Sequence, residues 1–152
     1  MNKSMTIIEI IFVILLISII TSYVIPKLFT HFEDTTIIKI KSDINLIRDS
    51  ISYNKNQNIL LNKDQIYIKY LDNAPINIAN KQLFVGYENE KLLKYPIIST
   101  STNSNEVGKW IKTSQNIYKI FINKTNFIEF AYNNEDGIFD CDYKRDLCLE
   151  LN

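Results

Sequence analysis

The chain has 152 residues, enough for one ordinary domain and too few for two comfortable ones. Its 17 basic and 17 acidic residues cancel to a formal net charge of zero, so a general polyanion-binding role gains no support. Nothing in it resembles a nucleophile elbow, a phosphate loop or a metal-binding helix motif, and no enzymatic activity is expected.

The nineteen residues from Ile7 to Ile25 are almost all apolar. As a helix they would span about 28 Å, close to the roughly 30 Å hydrocarbon core of a bilayer. Lys3 precedes the run and no small-x-small cleavage site follows it, the exit reading "TSYVIPKLF". A retained single-pass transmembrane helix with a cytoplasmic N-terminus is therefore expected, rather than a removed signal peptide. Glu9 lies near the start of this run, where a carboxylate in apolar surroundings is costly and calls for a partner. Pro26 lacks an amide N–H and is expected to kink the helix. Beyond it, Ile37, Ile40, Ile44, Ile47 and Ile51 recur at spacings of 3, 4, 3 and 4, one apolar face of a continuing helix. The expected element is a single helix from about Met5 to Tyr53, bent at Pro26, whose second half buries the isoleucines.

The rest of the chain reads as strands and turns. "QIYIKYL" (65–71) alternates, "QLFVGY" (82–87) is a second candidate, and "NIYKIFI" (116–122), "NFIEFAY" (126–132) and "GIFDCDY" (137–143) read as three consecutive antiparallel strands. "STSTNSNEVG" is a surface loop. The fold class expected is α+β: a long N-terminal helix, transmembrane in its first half and kinked near Pro26, packed on a small antiparallel sheet.

Several residues invite a chemical reading. Cys141 and Cys148 can pair in an exported domain, or stay as thiols in a reducing compartment. "NNEDGIFDCD" gathers Glu135, Asp136, Asp140 and Asp142, and such oxygen-rich turns bind calcium; the spacing is not that of an EF-hand, so a solvated turn is the simpler reading. Lys109, Trp110, Lys112, Tyr118, Lys119 and Phe121 interleave bases with aromatics, as a single-strand nucleic-acid strip would, but strand alternation alone produces the same pattern. Asn123-Lys124-Thr125 matches a glycosylation sequon, with a tight hairpin turn as the simpler reading. His31, the single histidine, has no Cys or Ser partner nearby in sequence.

"KSMTIIEIIFVILLISII" resembles the processing and assembly segment of the type IV pilin and type II secretion pseudopilin superfamily. The resemblance covers about 25 residues. It rests on a short basic leader (Met1 to Ser4), Thr6, the acid Glu9, and Pro26 seventeen residues after that acid. Ser4 stands where the family usually has Gly. The resemblance implies cleavage between Ser4 and Met5 by a prepilin peptidase and N-methylation of Met5. Residues 1–4 are then the leader, 5–27 a transmembrane and assembly helix, and 28–152 a periplasmic pilin-like domain. It implies Glu9 and Pro26 as assembly residues and a Cys141–Cys148 bridge near the C-terminus. The implied partners are other pilin-like subunits, the peptidase, an inner-membrane assembly platform and the membrane, with nucleic acid met only indirectly. Calcium at Asp136, Asp140 and Asp142 is the only cofactor in view. The implied function is a pseudopilin-like subunit of a short periplasmic filament, serving protein export or the DNA uptake of natural transformation. The alternatives are a minor subunit of a true type IV pilus and a membrane-tethered binding module that never polymerises.

Overall fold

The computed structural model describes the backbone of residues 7–101, 106–142 and 146–151, and their side chains except those of 23–34, 146, 147 and 150. Helix α1 runs Ile7–Leu60, and the chain divides into two compact units after Thr35. The first unit is the helix up to that point. The side chains of Ile7 to Ser22 are all exposed.

Among the described residues no helix is long and apolar enough to cross a membrane. The transmembrane helix expected over residues 5–27, and with it the single-pass inner-membrane placement, is corrected by this finding. Farther along, α1 carries Lys39, Lys41, Asp43, Arg48 and Asp49, so its length is amphipathic rather than apolar. Helical backbone continues through position 26, and the side chains of Pro26 and His31 lie outside the described set.

In the second unit α1 buries Ile40, Ile44, Ile47 and Ile51, the 3–4 stripe of the sequence, with Ile37 partly covered. Asn54 and Asn58 continue the stripe as buried amides. Asn54 Nδ2 donates to Lys91 O at 2.7 Å, and Asn58 Nδ2 to Ile66 O at 3.0 Å and Glu90 Oε1 at 2.8 Å. The helix ends on a Schellman motif. Asn62 takes the left-handed conformation (φ 50°), while Asn62 N–H donates to Ile59 O and Lys63 N–H to Asn58 O.

The isoleucines pack on a four-stranded antiparallel meander of β5 (Trp110–Ser114), β6 (Ile117–Phe121), β7 (Phe127–Asn133) and β8 (Ile138–Cys141). Pairing sets Trp110 opposite Ile120, Tyr118 opposite Phe130, Phe130 opposite Cys141 and Tyr132 opposite Phe139, all on the buried face. Short ribbons of β1 (Gln82–Leu83) with β4 (Ile97–Ile98), and β2 (Gly86–Tyr87) with β3 (Glu90–Lys91), close the remaining side. Helix α2 (Asp146–Leu151) adds the buried Cys148 and Leu151 to the core.

Two strand expectations are revised. Residues 65–71 form no strand: Ile68 and Leu71 are buried, but their carbonyls accept from Tyr132 Oη–H (2.8 Å) and Gly86 N–H (2.9 Å) instead of a ladder. The segment 82–87 splits into β1 and β2 because Phe84 has φ 58°, outside the β region. That turn drops the Phe84 ring among Trp110, Tyr118 and Phe139, at centroid distances of 5.6, 4.5 and 5.8 Å.

Candidate functional site

The exposed segment of α1 is the first place where the chain departs from an ordinary folded surface. Ile7 is 79% exposed, Phe12 62% and Ile19 67%, and apolar side chains face outward on every side of the helix between them. An apolar patch of this extent marks an interaction surface. Its hydroxyls ask nothing of a partner: Ser18 Oγ–H donates to Ile14 O at 2.7 Å, and Thr21 Oγ1–H to Ile17 O at 2.8 Å, both within the helix. Glu9, in the first turn, is the one charged side chain of the segment. The helix N-terminus favours its negative charge, but among the described residues no cation pairs with it. Ser4 and Met5, expected as the cleavage and methylation positions, lie outside the described residues, as does Thr6.

The second notable constellation is internal and was not anticipated. Asp72 and Lys112 are buried side by side, with Lys112 Nζ donating to Asp72 Oδ1 at 2.8 Å and to Asp72 O at 3.1 Å. Ala74 N–H donates to the same Oδ1 at 3.0 Å, while Phe84 N–H and Tyr118 Oη–H both reach Oδ2 at 2.9 Å. Each carboxylate oxygen thus accepts two bonds, and the segment from Asp72 to Phe84 is tied to β5 and β6 through one acid. Burial pushes the Tyr118 phenol far above its ordinary range, and the Asp72 charge adds to the shift. Burial also raises Tyr132, with smaller contributions from Glu90 and Asp136. Strand alternation offered a clue, since Lys112 shares a face with Trp110 two residues earlier; nothing in the sequence pointed to Asp72.

The lysine–aromatic series is dispersed by the same alternation. Trp110, Lys112 and Tyr118 are buried and Phe121 nearly so, which leaves Lys109 and Lys119 to reach solvent. No interleaved strip forms on the surface.

The cysteines form a Cys141–Cys148 disulfide with a Cα–Cα distance of 6.0 Å, fastening α2 to β8. The neighbouring acids do not converge on an ion site. Asp136 is engaged within its turn, Oδ1 accepting from Ile138 N–H (2.9 Å) and Oδ2 from Asn133 Nδ2 (3.0 Å). Asp140 pairs with Arg48 of α1 at 2.8 Å, and Asp142 is exposed. Asp140 does lie close to both sulfurs, but these are bonded to each other and supply no thiolate. A guanidinium on the acid opposes a cation there as well.

Comparison with family models, with curated proteins and with solved structures finds no match to this chain.

Proposed function

We propose that the chain is a pseudopilin-like structural subunit that polymerises through the exposed segment of α1 into a short periplasmic filament of a type II secretion-like machine. The observation that carries this reading is the run of outward-facing apolar side chains from Ile7 to Ile20, which surrounds a single acid. Apolar area buried between such helices contributes about 25 cal/mol per Å², and a helix apolar all round is a buried helix in its working state. The partner surface is the same segment of further copies.

Glu9 then acts as a register device. Cleavage before Met5, which the resemblance implies, creates an α-amine about one helical turn from this carboxylate, and in a stack of helices that amine can meet the acid of a neighbour. A charge pair in apolar surroundings adds little net stability, yet leaving either member alone is costly, so one alignment is selected over others. The bridged domain fits this setting, because disulfides persist in oxidising compartments.

The test is oxidative crosslinking in cells. Cysteines placed at Val13 and Leu16 together should yield ladders beyond the dimer on non-reducing gels, since the native cysteines are already paired. Glu9→Gln, which removes the charge at nearly constant size, should collapse the ladders while leaving the folded domain intact. A chain that stays monomeric, or ladders indifferent to Glu9→Gln, would overturn the reading.

A further inference from the structure

We propose that Asn123 is an acceptor for an N-linked glycan, and that the groove beside it seats the first sugar. Asn123-Lys124-Thr125 is the only N-x-S/T triplet among the described residues. It forms the exposed turn between β6 and β7, closed by Ile122 N–H donating to Asn126 O at 2.9 Å.

The turn presents the acceptor amide in a defined state. Asn123 Oδ1 accepts three bonds, from Thr125 N–H (2.9 Å), Thr125 Oγ1–H (2.9 Å) and Asn126 N–H (2.7 Å). Asn123 Nδ2 carries no hydrogen bond among the described residues. Three donors on Oδ1 draw electron density off Nδ2, which weakens it as a neutral nucleophile but makes its N–H more acidic, so the nitrogen reacts as the base of the transferase withdraws that proton. The hydroxyl of the triplet takes part directly, so Thr or Ser is required at the third position.

The transfer needs a glycan carried on a lipid-linked phosphate and a transferase that joins the two. Nδ2 attacks the anomeric carbon and forms the C–N bond. The bond from that carbon to the phosphate oxygen breaks, the lipid phosphate leaves with the electron pair, and the Nδ2 proton passes to a base of the transferase. The disulfide fits maturation where thiols oxidise, the kind of compartment in which such transfers take place.

The second observation is the groove. An open cleft of about 390 Å³, lined by Ile111, Thr113, Lys119, Phe121, Thr125 and Phe127 together with Asn77, borders the turn. Its size falls within the range of ordinary ligand clefts, about 300–1,000 Å³. Phe121 lies two residues before Asn123 and pairs across the hairpin with Phe127, ring centroids 6.3 Å apart. Phe121 is buried, so a sugar fixed on Nδ2 can lay the apolar face of its ring only against the partly exposed Phe127. Thr113 and Lys119, the latter also paired with Glu129 at 3.5 Å, offer polar groups to its hydroxyls. Lys119 Nζ stands 4.5 Å above the Phe127 ring, at the edge of this seat.

The experiment uses the full chain isolated from its own cells. The tryptic peptide 120–124 should carry a saccharide mass on Asn123. Asn123→Gln and Thr125→Ala should abolish it, and Thr125→Ser should retain it. An unmodified Asn123 in the wild-type protein overturns the proposal. For the seat, enzymatic removal of the glycan should lower the thermal midpoint of the wild type by several degrees and that of Phe127→Leu by less. Equal shifts in the two proteins would overturn the seat and leave Asn123 as acceptor.

Discussion

Lys112→Met tests the internal acid most directly, because it removes the ammonium and keeps an unbranched stem in β5. The pair it breaks is 4% and 0% exposed, with Nζ 2.8 Å from Oδ1. Removing one member of a buried pair costs about 3–5 kcal/mol, largely because the other charge is left uncompensated. Asp72 would keep three donors, from Ala74, Phe84 and Tyr118, which places the loss near the lower end, about 3 kcal/mol. Asp72→Ala should cost more, about 5 kcal/mol or above. It strands the ammonium with one carbonyl for company and leaves three donors unsatisfied, each worth about 1–3 kcal/mol. The double variant should cost less than the sum of the two, since the second change removes the charge stranded by the first. The single tryptophan reports unfolding: Trp110 is fully buried and its Nε1–H donates to Asp43 Oδ2 at 3.0 Å. A loss of about 3 kcal/mol should lower Tm by roughly 10–20 °C in a domain of this size. If Lys112→Met unfolds within about 0.5 kcal/mol of the wild type, or if the two losses simply add, the pair is not the strut described here.

Tyr118 and Tyr132 have pKa values raised on folding, so their contribution is fully present below the unfolded value of about 10 and is lost as pH rises above it. Each should lower stability by about 1.4 kcal/mol per pH unit beyond that point; alkaline unfolding read by tyrosinate absorbance should show Tyr118 and Tyr132 titrating only with loss of structure. Cys148→Ser opens the short loop between Cys141 and Cys148 and should cost about 2–3 kcal/mol, with an equal loss on reduction of the wild type; an unchanged urea midpoint would refute the bridge as a fastener. The protein isolated from its own cells should begin with a methylated Met5, and an N-terminal peptide retaining Met1 to Ser4 would contradict the processing on which the role of Glu9 depends.

How far the sequence could be read depended on how local the determining physics was. The isoleucine stripe was legible because a 3–4 spacing makes one helical face whatever lies opposite. The segments 116–122 and 137–143 contain β6 and β8, and 126–132 holds all of β7 but its last residue, because alternation, β-rich composition and the turns "NKTN" and "NNEDG" act within a few residues. Strand β5 passed unnoticed: "WIKTS" sets a lysine inward, and only the distant Asp72 makes that position tolerable. Residues 65–71 misled in the opposite direction. Their alternation is genuine, but it serves to place Ile68 and Leu71 in the core, and whether a backbone finds a ladder partner depends on the rest of the chain. Phe84 is a similar case, since a left-handed phenylalanine is held by tertiary contacts, its ring among three aromatics and its N–H on Asp72. The membrane expectation came from counting apolar residues, which measures a preference for apolar surroundings without specifying what supplies them.

The two acids of the chain that matter most make the same point from opposite sides. Asp72 sits in the core, and the fold provides every donor it needs: two backbone amides, a phenol and an ammonium. Glu9 sits among apolar side chains as well, but on a helix whose hydroxyls are already satisfied and whose described neighbours include no cation. A carboxylate with four donors of its own is a completed part of one molecule. On the assembly reading proposed above, a carboxylate that meets no cation among the described residues is half of a contact, and its complement arrives on another chain. If that chain is a further copy, the missing donor must lie within reach of the same segment. The α-amine created by cleavage before Met5 is the group that processing would place there, which ties the charge of Glu9 to the processing step before assembly.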